Sequence, residues 1–287
     1  MAQIAPPSPV CNTGVYPPSP IKPISAFVHD QWPLGVWRWD WARATVSEYP
    51  EVIAQALISA AGVDLERVQG KGRFNYDHRL DLMHGGERVA TILHGGRNGR
   101  PNVEASQERA DWLVQVLRGM GVEWLPTRLD PCIDHCQEGL YEKYRTIALS
   151  IAEEFRAPNG KAIKFREISS PLDPFAGRTF YLGSREGEWF LRVYEKGLAE
   201  WKPGQAGEVP PDPVRWLVRS EAEIKPDKPE ARLRAAQAEP RELFGVSPVL
   251  RAFAERALNV SVEPISLRVR REANQERALR AMGAQYH

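Results

Sequence analysis

Three short segments carry residue types that could cut a phosphodiester. They are Arg128-Leu129-Asp130-Pro131-Cys132-Ile133-Asp134, then Phe190-Leu191-Arg192-Val193-Tyr194-Glu195-Lys196, then Val218-Arg219-Ser220-Glu221-Ala222-Glu223-Ile224-Lys225. Side chains along a strand alternate between its two faces. Read as strands, the first puts Arg128, Asp130 and Asp134 on one face, the second Arg192, Tyr194 and Lys196, and the third Arg219, Glu221, Glu223 and Lys225. Carboxylates can hold a hard divalent cation, a phenol can attack phosphorus, and guanidinium and ammonium groups can grip phosphate oxygens. The combination predicts metal-assisted breakage of a DNA strand.

Each residue has a plainer reading. Strand interiors are depleted in Asp, so Asp130 and Asp134 on one face ask for a reason, yet solvated strand-end acids paired with Arg128 would also explain them. The metal reading gains from the other acidic strand, where Glu221, more central than Glu223, is the third candidate ligand. All-oxygen ligands suit Mg²⁺ or Mn²⁺ rather than zinc. Alternating charge on the Glu221 strand is equally the mark of an ordinary exposed face. Most strand tyrosines are packing residues with a wet hydroxyl, but Tyr194 shares its face with Arg192 and Lys196, while Leu191 and Val193 supply an apolar opposite face. A phenol of pKa near 10 is a poor nucleophile at neutral pH, and cations beside it favour the phenolate. Its attack leaves a free 3′-hydroxyl and a 5′-phosphotyrosyl link that can later be resealed. Tyr194, Lys196 and Arg192 are therefore the catalytic candidates, and Arg128, Arg185, Arg219 and Lys225 the candidate DNA contacts. Tyr181 is a second nucleophile candidate, better read as structural or DNA-contacting.

The elements that must position these groups can be outlined. Residues 1–30 are rich in Pro and predict a disordered arm. Residues 31–122 read as an N-terminal α+β half for scaffolding or DNA binding, 123–228 as the catalytic half, and 229–287 as a C-terminal helical segment. The first half shows an alternating strand at 37–41, a helix at 49–62, strands near 72–83 and 88–94 joined across Gly85-Gly86, and a helix at 106–119. The second shows the Asp130 strand, an amphipathic helix at 139–156, and strands near 162–168, 178–183, 189–196 and 214–225. The Gly- and Pro-bearing stretch 197–213 predicts no regular structure, and helices are expected at 229–239, 247–258 and 270–285. The fold class is α+β, mainly antiparallel sheet with flanking helices, with the similar rhythm of the halves suggesting two fused βαβ-type units.

Composition bounds the rest. The chain has 287 residues and is 43% hydrophobic with nine Trp, enough to bury a full core. No apolar run approaches the roughly 20 residues of a membrane helix, and the N-terminus lacks the pattern of a signal peptide. Three cysteines argue against a disulfide framework and for a reducing cytoplasm. A net charge of +1 neither announces nor excludes a nucleic-acid partner.

Beyond these residue-level readings, Thr179-Phe180-Tyr181-Leu182-Gly183-Ser184-Arg185, then Phe190 to Gly197, then Val218-Arg219-Ser220-Glu221 resemble the signature of the replication initiation factor family, rolling-circle initiators of filamentous phages and small plasmids. The Arg128 to Asp134 strand is similar to the family's acidic motif, and Trp39-Asp40-Trp41 and His94-Gly95-Gly96 are similar to parts of its N-terminal half; the resemblance spans about residues 37–285. It implies an origin-specific, metal-dependent nick through a covalent tyrosyl-DNA intermediate, with Tyr194 as nucleophile and Asp130, Asp134 and Glu221 at the metal. It further implies origin DNA, single-stranded or hairpin, as partner, a host helicase and DNA polymerase acting next, the bacterial host cytoplasm as location, and no membrane; a homodimer is compatible with it. Ser220 departs from the family's apolar residue, Gly187-Glu188 from its Ser-containing turn, and the family pattern leads one to expect residues beyond Gln285-Tyr286-His287.

Weaker signals have ordinary readings. Cys132, His135 and Cys136 lack a second cluster for zinc, and no His-apolar-His pair is present. Asp81 in His78–His84 mimics the Arg-Leu-Asp motif without a second Asp. The Gly95–Gly99 loop lacks a P-loop's Lys-Ser/Thr and suggests a tight turn near DNA. Trp37, Trp39 and Trp41 form an aromatic strand face, for core packing or base stacking, and Arg268, Arg270, Arg271, Arg277 and Arg280 form a basic patch. Two competing functions stand beside the first: a non-catalytic DNA-binding replication-control protein, and a hydrolytic metal-dependent nuclease.

Overall fold

A computed structural model of the chain describes residues 33–156, 160–170, 172–173, 175–202 and 208–267. The Pro-rich arm, Cys11, the basic patch of Arg268, Arg270, Arg271, Arg277 and Arg280, and the helix expected at 270–285 lie outside the described residues. The strands are β1 (Arg38–Val46), β2 (Glu66–Lys71), β3 (His78–His84), β4 (Glu87–His94), β5 (Asn102–Ser106), β6 (Trp124–Cys136), β7 (Phe165–Ile168), β8 (Thr179–Gly183), β9 (Trp189–Tyr194) and β10 (Leu217–Ile224). The helices are α1 (Pro50–Ala61), α2 (Glu108–Gly119), α3 (Leu140–Glu154), α4 (Lys196–Glu200), α5 (Asp212–Arg215), α6 (Pro229–Gln237) and α7 (Pro248–Arg256), with a 3₁₀ helix at Pro240–Val246. The fold is α+β.

All ten strands form one sheet in the order β2-β3-β4-β5-β1-β6-β10-β9-β8-β7. The order shows two halves wound alike. Each runs a central strand, a helix, then a four-strand meander laid from the outer edge inward until its last strand pairs with the first. β1 and β6 are the two central strands and pair with each other. Every pairing is antiparallel, so the repeated unit is a meander closed on its own first strand. The βαβ crossover expected from the rhythm would need parallel neighbours.

Local sequence explains the joints. Gly85 and Gly86 take φ of 57° and 81°, as a two-residue hairpin between twisted strands requires. α1 opens on Pro50 and ends at Gly62 in the left-handed region, and the Ser247 hydroxyl caps α7 by accepting from the Val249 N–H at 3.2 Å. One sheet face is apolar: Ala42, Ala44, Leu80, Leu82, Ile92, Val103, Leu129, Ile133, Leu191, Val193, Val218 and Ala222 form one core with the buried sides of α1, α2, α3, α6 and α7. The other face bears the charged side chains of β6, β9 and β10, among them Asp134, Arg192, Arg219 and Glu221. Among the described residues, no helix is long and apolar enough to cross a membrane.

Several element boundaries differ from expectation. β2 and β5 have no counterpart in the sequence reading, and the stretch 197–213, expected to be irregular, overlaps α4 and the start of the short α5. The three tryptophans do not share a face. β1 is bulged: Trp39 pairs with Pro131 and Trp41 with Asp130, leaving Asp40 as the extra residue. Pro131 has no N–H to give the ladder, and a bulge opposite it re-aims the strand. Trp39 therefore enters the core, Trp41 turns to the polar face, and Trp37 meets Phe244 edge-on at 4.8 Å.

Candidate active site

Register brings the predicted side chains onto one face. Asp134 pairs with Arg219, and Arg219 with Tyr194. Cys132 pairs with Glu221, and Glu221 with Arg192. Residues in such a cross-strand row project from the same face with Cβ atoms about 5 Å apart. The three polar faces read separately from the sequence are thus a single surface spanning β6, β10 and β9. Asp130, Asp134, Arg219 and Glu221 are all buried in it, and Tyr194 is half-buried.

The acids are held by guanidiniums. Arg219 donates from Nε and Nη2 to the two oxygens of Asp134 at 2.6 and 2.7 Å, and from Nη1 to Asp40. Lys196 Nζ donates to Asp134 Oδ2 at 3.2 Å. Arg192 Nη2 donates to Glu221 Oε2 at 2.5 Å, with its guanidinium 4.8 Å from the Tyr194 ring centroid. Arg128 forks onto Asp130 and reaches Glu223 Oε2 at 3.0 Å.

Lys196 is not on the strand face expected of it: β9 ends at Tyr194, and Lys196 opens α4. Its ammonium still reaches the cluster because α4 is drawn in against α5. A Cβ at Gly197 would meet the Val214 carbonyl at 1.9 Å, so only glycine permits that approach. Arg178 locks the turn by donating from its backbone N–H and guanidinium to Glu195. A cavity of about 370 Å³ opens beside Asp134 and Lys196.

Arg185 and Lys225 lie at the other end of this face. The Arg185 guanidinium is 5.5 Å from the Phe190 ring and 6.0 Å from that of Tyr181. The two rings stack at 5.2 Å. Lys225 Nζ pairs with Glu223 at 2.5 Å and donates to the Arg185 carbonyl at 2.6 Å. Tyr181 pairs with Arg192 across the β8–β9 ladder, one row away from Tyr194, which faces Thr179.

Asp40 is the site residue that sequence reasoning missed. It was visible only as part of Trp39-Asp40-Trp41, and the signal that could have found it is Pro131 in the facing strand, which invites a bulge. Its charge is felt by Asp130, Glu221 and Tyr194. Asp111 on α2 is another missed acid; it accepts the Trp39 N–H at 3.0 Å, and burial pushes it up to about 7.

The acids differ electrostatically. Burial alone would raise Asp134, but the Arg219 hydrogen bonds and charge, with Lys196, hold it below the usual carboxylate range. Asp130 is pushed up to about 7 by burial, against Arg128 and with Glu223 and Asp40 adding repulsion. Glu221 is pushed up to about 8 by burial, then by Asp40 and Asp130, against Arg192. Burial also raises Tyr194 well above a free phenol, with Asp40 and Glu221 adding to it and Arg219 and Arg192 opposing. The nucleophile candidate is therefore a protonated phenol at neutral pH.

Among the described residues, no group of three or more His, Cys, Asp or Glu is set to hold a metal ion. The donor chemistry nonetheless suits one at Asp130 and Glu221. Their crowded, under-compensated charge is what a divalent cation relieves, and it would have to compete with the guanidinium forks. Asp134 suits one less, since both its oxygens already accept from Arg219.

The raised folded-state value of Glu221 gives a testable pH effect. A carboxyl whose pKa is higher folded than unfolded favours folding while protonated, and that advantage fades as pH climbs from its unfolded value through its folded one. Glu221→Gln, which cannot ionise, should match the parent in Tm at pH 4, below the unfolded value, and exceed it by about 4 °C at pH 8.5. Differential scanning calorimetry reads this directly; a Tm difference that shrinks with rising pH would contradict the electrostatic account.

No protein-family model matches the chain, and no curated protein matches it. Among solved structures, it is similar to a rolling circle replication initiator protein from Geobacillus stearothermophilus, at 17% identity and a TM-score of 0.47 over 66% of this chain and 74% of that one. At so loose an overlap the functional reading rests on the side chains alone.

Proposed function

We propose that this chain nicks and rejoins single-stranded DNA through Tyr194, as a rolling-circle replication initiator acting at an origin. The observation that supports this best is the row Asp134–Arg219–Tyr194, a phenol set against a buried arginine with Arg192 over its ring. Tyr194 Oη would bond to the scissile phosphorus as the P–O3′ bond breaks. The phenol proton passes to the Asp40 carboxylate, whose charge it feels, and the departing O3′ takes up a proton from solvent to become the free 3′-hydroxyl. Arg192 and Arg219 would stabilise the charge gathering on the phosphoryl oxygens; Asp134 positions Arg219, and Lys196 braces Asp134. Arg128, Arg185 and Lys225 are proposed to contact the DNA on either side. Mg²⁺ or Mn²⁺, held by Asp130 and Glu221 with Asp134 at their margin, would polarise the phosphate. A host helicase and DNA polymerase would then use the free 3′ end in the bacterial cytoplasm.

One observation favours a second reading, a non-catalytic DNA-binding protein: Asp130, Asp134 and Glu221 are each engaged by a guanidinium. Incubation with single-stranded origin DNA and Mg²⁺, with and without EDTA, separates them. The nicking reading expects a denaturation-resistant protein–DNA adduct that EDTA abolishes. DNA binding without adduct or cleavage would support the second reading, and cleavage without adduct would make the chain a hydrolytic nuclease.

A further inference from the structure

From the opposite end of the polar face, we infer a built track for unpaired bases leading to the Asp130 cluster. Guanidiniums and aromatic rings alternate there. Arg73 lies 5.4 Å from the Phe74 ring, Arg43 lies 5.1 Å from Phe74 and 5.8 Å from Trp41, and Arg128 lies 5.0 Å from Trp41. Arg128 in turn grips Asp130, so the series ends in the acidic cluster.

Two features distinguish this from chance surface packing. Phe74 is a large apolar side chain left 61% exposed. It and Asn75 also hold positive φ, 56° and 66°, a backbone region that residues other than glycine seldom adopt. The Gly95–Gly99 loop keeps them there: Asn98 Nδ2 donates to the Phe74 carbonyl at 2.8 Å, Arg97 N–H donates to the Asn75 carbonyl at 3.3 Å, and a Cβ at Gly96 would meet that carbonyl at 2.4 Å. The ring is thus presented outward by strained backbone that a second loop supports.

The charges complement a phosphate chain. Glu104, buried on β5, accepts from both Arg43 and Arg73, so one buried carboxylate anchors two partly exposed guanidiniums and leaves a net positive rim. Every base has a π-face, and an aromatic–arginine series with cationic edges holds single strands with little regard to sequence. A duplex, whose bases are already stacked, has none to offer.

This inference rests on the proposed DNA-cutting site for its meaning, but its test does not depend on cleavage. The probe is a labelled oligothymidine, with a duplex of equal length for comparison, read by fluorescence anisotropy on the full chain. Phe74→Ala should weaken oligothymidine binding about tenfold while leaving duplex binding unchanged, and Arg73→Gln should lower the slope of log K against log salt by about 0.7. Because Phe74 is exposed, Tm by calorimetry should be unaltered in its variant. Equal oligothymidine binding by Phe74→Ala and the parent, or an equal loss for the duplex, would overturn the inference. Loss of binding in Phe74→Ala from a parent that never forms an adduct would sustain the track and refute the nicking reading.

Discussion

Tyr194→Phe should abolish the covalent protein–DNA adduct and lower strand nicking on the order of 10⁴-fold or more, the scale seen when a nucleophile is removed, while single-stranded DNA binding is kept. The fold should survive, because Phe preserves the ring that Arg192 lies over at 4.8 Å. Tyr181→Phe is the internal control. Its ring is stacked on Phe190 and its row is that of Arg192 and Glu221, so it should retain the adduct. A Tyr194→Phe protein that still nicks at the parent rate would remove Tyr194 from the chemistry. Quantitative gel analysis of adduct and nicked product, under single-turnover conditions with Mg²⁺, decides between these outcomes.

Arg219→Ala should destabilise the protein by about 3–5 kcal/mol, the usual cost of leaving a buried charge without its partner, which is a Tm drop of roughly 10 °C. Arg219 is 2% exposed and reaches Asp134 on β6 and Asp40 on β1 from its own place on β10. It ties together the three central strands, including the two that join the halves of the sheet. The double variant Arg219→Ala/Asp134→Asn should recover part of the loss by removing one stranded charge, so the two effects are non-additive. The linkage has a definite direction. Asp134 has a lowered folded-state pKa, so its contribution is present above its unfolded value near 3.9 and is lost as pH falls through the folded one. Arg219→Ala should therefore flatten the acid limb of the stability curve below pH 4. Calorimetry from pH 2 to pH 7 measures both effects; an unchanged Tm would mean the arginine is not the counter-charge described.

The period-two spacing of Arg128, Asp130 and Asp134, of Arg192 and Tyr194, and of Arg219 and Glu221 was enough to read each polar strand face, because alternation is a local property. Pairing is not local. That Asp134, Arg219 and Tyr194 form one row depends on β6, β10 and β9 being adjacent, which no single segment states. Lys196 was misplaced for a similar reason: alternation carried it onto the strand, but the close approach of Gly197 to Val214 turns the chain into α4 one residue after Glu195. Asp40 and the separation of Trp39 from Trp41 follow from a bulge that only the facing Pro131 could have hinted at. The short strands β2 and β5 were illegible because Glu66–Lys71 is largely exposed and Asn102–Ser106 is buried on both faces, so neither shows the half-buried alternation that marks a strand. The mainly antiparallel character of the sheet was legible, but the strand order was not, because a shared rhythm of elements gives their order in the chain and not their order in the sheet.

The most direct measurement is the site of covalent attachment. The protein would be reacted with single-stranded origin DNA and Mg²⁺, the adduct digested with protease and nuclease, and the nucleotidyl-peptide sequenced by tandem mass spectrometry. A 5′-nucleotide mass on Tyr194 is the predicted result; the same mass on Tyr181 or any other residue, or product strands with no attached peptide, would contradict it.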